Sequence, residues 1–388
     1  MTAPLSPNAA NATNATNTAN ATATESAFTC PYCGQALDLL VVNPAGELIG
    51  CEECAEELGL AGDAMTLDEW NAPVLVQSVL EQYSLGDWQV GKPAATDTQR
   101  PRAHYWEVTA NGRRYFLKQF HSWYPQESIA YTHSILSHLL EQGLSVARVV
   151  AAQDGSSFVT TDDSNWALYQ ALEGRHASER DWMWGRPKAA EMLGALHHAL
   201  EGFTPEGQPF EPWNAWTIET VDSVLESWQP HPDLPPDLLS YIRDRLAHRY
   251  FGDLYPQLPK LVVHGDYVTS NVLWRGDAVS MTISGVVDFE RAHLDTALFD
   301  FAWGLGDRRP PLLRASVSSY SRMRPLMPIE REALPEALLL GQIMAIDMQM
   351  TYFNNMREVS RLAQELLMTV RDIDSLRKAV SLLRQNSY

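Results

Sequence analysis

The stretch "HGDYVTSNVLW", residues 264–274, sets His264, Asp266 and Asn271 within eight positions. It lies between the apolar run Leu261, Val262, Val263 and the pair Val272, Leu273. Short β-branched runs on either side of a polar segment read as two strands, which leaves the polar residues on a loop held at both ends. A second apolar strand, "ISGVVDFERA", follows a turn at Arg275, Gly276, Asp277 and runs into Asp288. Two carboxylates and one carboxamide therefore stand at the ends of neighbouring strands.

Asp266 and Asn271 have the D-x-x-x-x-N spacing of a phosphoryl-transfer loop, in which the aspartate accepts a hydroxyl proton and the asparagine helps to hold Mg²⁺. Mg²⁺ prefers oxygen ligands, takes few from protein and draws others from nucleotide phosphates, so Asn271 and Asp288 are the candidate Mg²⁺ ligands. Upstream, "HYWEVTANGRRYFLKQF" reads as a hairpin turning at Asn111 and Gly112, with Lys118 inside its second strand and in reach of nucleotide phosphates. Each piece alone is common. The order is specific: a strand lysine, a connector, H-G-D-x-x-x-x-N, then D-F-E.

That order resembles the aminoglycoside phosphotransferase and choline kinase-like family from about Leu85 to the C-terminus. The resemblance implies a two-lobed α+β protein-kinase-like fold, with a β-rich N-lobe and a helical C-lobe, and an ATP- and Mg²⁺-dependent kinase acting on a small-molecule hydroxyl. It implies Asp266 as catalytic base, Asn271 and Asp288 on Mg²⁺, and Lys118 on the ATP phosphates. The segment "ALYQALEGRH" is similar to the interlobe connector, where backbone groups near Gln170 to Leu172 would meet adenine. Asp300, in "LDTALFDFAWGL", is similar to an aspartate that braces the catalytic loop; His264 is read as a loop hydrogen-bonder and His197 as a packed residue. Two positions depart from the family pattern. The segment "VGKPAATDTQRPRAHYW" has a single glycine where a glycine-bearing nucleotide-covering loop is common. Thr132 stands where many members have the glutamate that pairs the lysine; Glu127, on the same helix, is either its substitute or a first-turn acid favoured by the helix dipole.

The front of the chain is different in kind. Residues 1–28 are nearly all Ala, Asn and Thr and read as a disordered tail. Residues 29–66 carry all four cysteines, Cys30, Cys33, Cys51 and Cys54, as C-x-x-C pairs on either side of a hairpin predicted from Leu39–Val42 and Glu47–Gly50. Four thiolates at the mouth of a hairpin suit tetrahedral Zn²⁺, and the module resembles a zinc ribbon, closed to catalysis and available to a protein partner. An N-lobe over 67–170 and a C-lobe over 171–388 complete the expected organisation.

Charge narrows the partners. Of 48 acids, twelve lie between Met1 and Gly91, where there is no Lys or Arg; the net charge of -19 therefore divides into -12 there and -7 in the rest. Such a front end repels phosphate backbones, against nucleic-acid binding. No apolar run reaches the ~20 residues that span a bilayer, and a cytoplasmic protein without membrane contact is expected. Twelve tryptophans are assigned first to packing and second to a cage for a quaternary amine or sugar. The competing function is a kinase-like scaffold binding a partner through the acidic ribbon; a protein-serine kinase ranks last, because Asp288 is followed by neither D-F-G glycine nor A-P-E.

Overall fold

Val41 faces Gly50 and Val42 faces Leu48 across an antiparallel pair, so the two apolar segments flanking residues 43–46 form the expected strands β1 (Leu39–Val42) and β2 (Leu48–Gly50). A third strand, β3 (Asp63–Thr66), pairs along the other edge of β1; its four residues "DAMT" carry no alternation by which to recognise them. The computed structural model describes residues 39–42, 48–50, 63–66, 75–93, 103–120, 124–161, 164–210, 216–228, 233–276, 280–306, 309–351 and 355–381. The four cysteines, the Ala/Asn/Thr-rich tail and most of the expected nucleotide-covering loop lie outside those residues. The chain divides into two compact units, Met1–Leu80 and Glu81–Tyr388.

In the second unit β4 (Trp88–Pro93), β5 (Ala103–Ala110) and β6 (Arg113–Phe120) form an antiparallel meander. Asn111 and Gly112 turn β5 into β6 with φ of 51° and 71°, the left-handed pair that a two-residue hairpin loop requires. Helix α1 (Gln126–Glu141) follows, with Pro125 as its N-cap and Gly143 just beyond it at φ 78°. Then come β7 (Arg148–Val150), β8 (Val159–Thr160) and β9 (Asn165–Gln170), giving the order β4-β5-β6-β9-β7, with β8 also paired to β9. β6 is thus a central strand. Leu117 and Lys118 are both buried there, on opposite faces.

The connector leaves β9 and enters a short strand β10 (Arg175–His176), which pairs with a strand of the following helical region. That region holds α2 (Glu179–Leu200), α3 (Ile218–Ser227) and α4 (Pro236–Arg245), the last continuing as a wider-wound turn over Leu246–Leu254. Two small sheets then frame the decisive loop. β11 (Leu261–Val263) pairs with β14 (His293–Asp295), and β12 (Val272–Arg275) lies between β10 and β13 (Thr282–Val286). Helices α5 (Ala297–Leu305), α6 (Pro310–Met323), α7 (Pro328–Thr351) and α8 (Met356–Ser381) complete it.

Most of the core is a continuous cluster of Leu, Ile, Val and aromatic side chains through these helices. Trp166, Trp182, Trp228 and Trp274 are buried, so these four serve packing, while Trp184 is 69% exposed. Helix α2 begins at Glu179 and carries Pro187 inside it. The C-terminal region folds as two helices, α7 and α8, and the bond from the Asn355 N–H to the Gln349 carbonyl (3.0 Å) closes the end of α7. Among the described residues no helix is long and apolar enough to cross a membrane.

Candidate active site

The loop between β11 and β12 is fixed from beneath by a buried carboxylate. Asp300, on α5, has no exposed surface and accepts the backbone N–H groups of His264 (2.6 Å) and Gly265 (2.8 Å). His197 of α2 meets the oxygen that also accepts the His264 N–H, Nε2 to Oδ2 at 3.0 Å, and holds Tyr320 Oη at 2.8 Å through Nδ1. Burial pushes the Asp300 carboxyl up, but hydrogen bonding from His197 and the charges of His197 and His264 outweigh it and hold the group below the usual carboxylate range. The expected bracing role of Asp300 thus has a geometric basis, and packed His197 supplies one of its bonds.

Gly265 takes φ 79°, and a Cβ there would stand 2.0 Å from the Arg291 carbonyl oxygen. Glycine lets the loop cross the segment after β13 at backbone contact. His264 stitches the same crossing: Nε2 meets the Val287 carbonyl at 3.0 Å, and Nδ1 accepts the Asp266 N–H at 3.2 Å. The Val287 N–H donates to the Asn271 carbonyl at 3.0 Å. Asp266, Asn271 and Asp288 are therefore brought into one neighbourhood by direct bonds between their two loops.

The Asp266 carboxylate is oriented from three sides. Trp303 Nε1 donates to Oδ1 at 3.1 Å, Asn271 Nδ2 lies 3.3 Å from Oδ2, and Arg291 Nη1 is 3.7 Å from Oδ1. Asn271 Nδ2 also donates to the Asp266 carbonyl at 2.8 Å. With its amide nitrogen spent on Asp266, Asn271 offers its Oδ1 to other partners, Ser270 Oγ at 3.3 Å among them. Asp288 is exposed and left-handed, φ 67° and ψ 61°, a conformation an aspartate tolerates better than most residues and one found often at functional sites. A carboxamide oxygen and a free-standing carboxylate on adjoining loops fit a divalent oxygen-seeking ion. Among the described residues no three His, Cys, Asp or Glu side chains gather into a metal cluster, so a metal here would draw on this pair and on nucleotide phosphates.

Lys118 faces the same region. It is 1% exposed, forms an ion pair with Glu290, and has its ammonium 5.0 Å from the Tyr105 ring centroid and 4.7 Å from that of Phe120. The Tyr105 hydroxyl is pushed well above its ordinary range, by burial first and then by the Asp288 charge. The Glu290 partner of Lys118 stands two residues along the chain from Asp288. Glu127 stands exposed in the first turn of α1, as a first-turn acid. Thr132 is buried and returns its hydroxyl to the Ser128 carbonyl at 3.1 Å. Among the described residues, a carboxylate paired with the lysine is Glu290, two residues beyond Asp288.

Gln170 ends β9, opposite Tyr115 and Arg148, and the next N–H, of Ala171, donates to the Arg114 carbonyl at 2.9 Å. Leu172 lies over Gly285, where an added Cβ would come within 2.6 Å of its Cδ1. The connector thus touches β13, the strand that leads to Asp288. His176 in β10 anchors the loop from the other side, Nδ1 to the Ser270 carbonyl at 2.8 Å.

Sequence reasoning missed Glu290, Arg291 and Trp303. For Trp303 a signal existed: it stands three residues after Asp300, the spacing that puts two side chains on one helix face. Trp303 also borders a cleft of ≈ 430 Å³ in the helical region, lined by Arg186, Arg309, Gln342, Arg361, Glu365 and Thr369 together with small and apolar residues.

Comparison with known proteins accords with this geometry. Residues 101–330 match the model of the phosphotransferase enzyme family (APH). The homoserine kinase of Rhodopseudomonas palustris is 24% identical over 268 residues, 66% of this chain and 77% of that protein. Among solved structures, a microcompartment-associated aminopropanol kinase superposes with a TM-score of 0.56 at 16% identity, over 79% of this chain and 98% of that one. An aminoglycoside phosphotransferase from Alicyclobacillus acidocaldarius gives 0.55 at 19% identity, over 79% and 96%. The two likenesses show the expected two-lobed, protein-kinase-like α+β fold.

Proposed function

The chain belongs to the phosphotransferase enzyme family, and from that footing we propose that it transfers the γ-phosphoryl group of ATP, with Mg²⁺, to a hydroxyl of a small molecule. The observation that carries the proposal is the Asp266 carboxylate, oriented by Trp303 Nε1 and Asn271 Nδ2 on the loop braced by Asp300. An ionised carboxylate has about four acceptor positions, so those two bonds leave places for the acceptor hydroxyl. The acceptor oxygen forms its bond to the γ-phosphorus as the bond from phosphorus to the β,γ-bridging oxygen breaks. The electron pair of that bond leaves with ADP, and the hydroxyl proton passes to Asp266.

Asn271 Oδ1 and Asp288 would hold Mg²⁺, which offsets charge on the phosphate oxygens when bound. Lys118 meets the phosphates from the sheet side, releasing or sharing Glu290 as it does so. The connector at Gln170 to Leu172 offers backbone groups to adenine. Positioning and charge, rather than covalent chemistry, make up most of the protein's contribution.

For the first unit we propose one structural Zn²⁺ on Cys30, Cys33, Cys51 and Cys54. The paired strands β1 and β2 between the two C-x-x-C pairs support it, as does the chemistry of four thiolates. Metal analysis of the purified chain should find about one zinc, lost on thiol modification; a metal-free, folded chain would remove this part.

The enzymatic proposal is tested by ADP release from ATP with a panel of hydroxylated metabolites, with and without Mg²⁺. The expected result is acceptor-dependent ADP release that chelation abolishes, with phosphate recovered on the acceptor hydroxyl. Absence of release with any hydroxyl compound, together with absence of ATP binding, would contradict it.

A further inference from the structure

After α2 the chain turns back along the outer side of α1. Gly202 takes φ 72° where the helix has ended, and Glu201 beside it accepts Arg324 Nε at 2.9 Å, so the segment starts from a fixed point. It then follows α1 from its C-terminal end to its N-terminal end. Phe203 stacks on His138 with ring centroids 3.9 Å apart, and His138 Nε2 meets the Ala199 carbonyl at 2.8 Å. The Glu206 N–H donates to Ser134 Oγ at 3.0 Å, and the Gln208 N–H to the Glu127 carbonyl at 3.3 Å. Positions 127, 134 and 138 share one helix face. On another face Ile129 packs with Phe120 and Ala167 of the sheet, and His133 bonds Tyr169 of β9. Helix α1 is therefore held on both sides. Gly207 permits the approach: its φ is 80°, and an added Cβ would stand 2.2 Å from the Glu127 carbonyl oxygen. Pro205 and Pro209 flank it and limit the conformations open to the segment before it docks.

The segment ends at the wall behind Lys118. Phe210 packs on Tyr124 with centroids 4.9 Å apart, Tyr124 stacks on Phe120 at 5.3 Å, and the Lys118 ammonium lies 4.7 Å from the Phe120 centroid. Tyr124 Oη also lies 3.5 Å from the carbonyl oxygen of Glu290, the carboxylate paired with the lysine. We propose that residues 202–210 are a strap from the helical region that positions Lys118 for the nucleotide phosphates. Gly207 and Glu206 fix α1 through their backbone, and Phe210 acts on the lysine through Tyr124 and Phe120. Phe210 is thus a positioning residue, reaching the phosphates only by way of other side chains. The inference rests on the phosphotransferase reading for what Lys118 meets, and adds the element that sets the lysine's place. An ammonium is attracted to a ring face within about 6 Å of its centroid, so a shift of Phe120 and Tyr124 carries the cation with it. Thr132 turns its hydroxyl back to the Ser128 carbonyl, and α1 takes its place from packing on both sides.

The test compares the full chain with two variants, Gly207→Val, which drives the strap from α1, and Phe210→Ala, which removes the ring and leaves the backbone. Glu206→Ala is the control, because Glu206 meets Ser134 through its backbone N–H. Calorimetry with ATP and Mg²⁺ should give both strap variants a Kd about tenfold higher, the scale of one lost aromatic pair. Adenosine, which carries no phosphate for Lys118 to meet, should bind all forms alike. Hydrogen exchange should quicken at the amides of α1 and stay as in wild type in α7, since a strap released from one helix opens that helix locally. The control should match wild type in every measurement. Phe210→Ala gives the result if Gly207→Val does not fold. Folded strap variants with wild-type affinity for ATP would overturn the inference. So would an equal loss for ATP and adenosine, which marks a general loosening of the site instead of a displaced lysine. A wild-type chain that binds no ATP overturns the phosphotransferase reading and the lysine's role together, whereas ATP binding that neither variant alters overturns the strap alone.

Discussion

An ammonium ion that is 1% exposed needs a carboxylate within reach, because leaving one charge of a buried pair uncompensated costs several kcal/mol. At Lys118 that carboxylate is Glu290, placed by the turn after β13 instead of by helix α1. Glu290→Gln should therefore raise KM for ATP about tenfold, the order of one charge-assisted hydrogen bond. The double variant Thr132→Glu with Glu290→Gln moves the carboxylate onto the helix and should recover part of that loss. Steady-state kinetics in ATP check both; an unchanged KM in the single variant would remove Glu290 from the lysine's environment. Asp266, Asn271 and Asp288 were legible because their spacing is local and their flanking strands are short apolar runs. Glu290 was not, since it lies 172 residues from its partner. Only the packing of β6 against the loop after β13 brings the two together.

Helix α5 is the element that sets the catalytic loop. Asp300 grips the loop backbone and Trp303 the Asp266 side chain, one turn apart on a shared face. Gly304 permits the approach: a Cβ there would stand 1.5 Å from the Tyr267 carbonyl oxygen. Gly304→Ala should then destabilise the chain by about 1–3 kcal/mol, the usual cost of overpacking, and lower kcat as the loop shifts; chemical denaturation with parallel kinetics measures both. Unchanged stability would mean that α5 does not pack on the loop this closely.

Helix α1 carries a titratable group with a definite sign. His133 is buried between Ser157 Oγ and Tyr169 Oη, each at 2.8 Å, and burial, with the Lys118 charge adding, pushes it from 6.5 down to about 3. The unfolded chain takes up this proton near 6.5 and the folded chain only near 3. Stability from this group is therefore full above the unfolded value and declines as pH falls between the two, by about 1.4 kcal/mol per pH unit. Urea unfolding at about pH 6.5 and pH 4.5 should show wild type losing roughly 2–3 kcal/mol more than His133→Gln. Equal losses would place the histidine in contact with water. The apolar spacing of α1 made the helix legible, but not this neutrality, which depends on Ser157 and Tyr169 from later in the chain.

For the whole molecule, a β-rich half before the connector and a helical half after it were legible from the change of hydrophobic period. Helix limits were less so. Proline costs about 3 kcal/mol inside an isolated helix, which argues for starting helices at Pro187 and Pro335. Both lie inside helices, and Ala189, Ala190, Leu193, Leu334 and Leu338 beside them are buried in the main core, so tertiary packing outweighs local preference. The fold-back between α7 and α8 was hidden for a related reason. Both helices are rich in Leu and Met, and their periodic patterns run on without a glycine to separate them. The loop that carries Asp266 escaped these ambiguities because the strands on either side of it are short apolar runs bounded by polar residues.

The most direct test is the rate of phosphoryl transfer to the best acceptor by Asp266→Asn, a change that keeps the side chain's shape and removes its capacity to take a proton. A folded variant that still binds ATP and whose kcat falls about 10²–10⁴-fold is the expected result. A kcat within a few fold of wild type would contradict the assignment of Asp266 as the base and, with it, the reading of the loop.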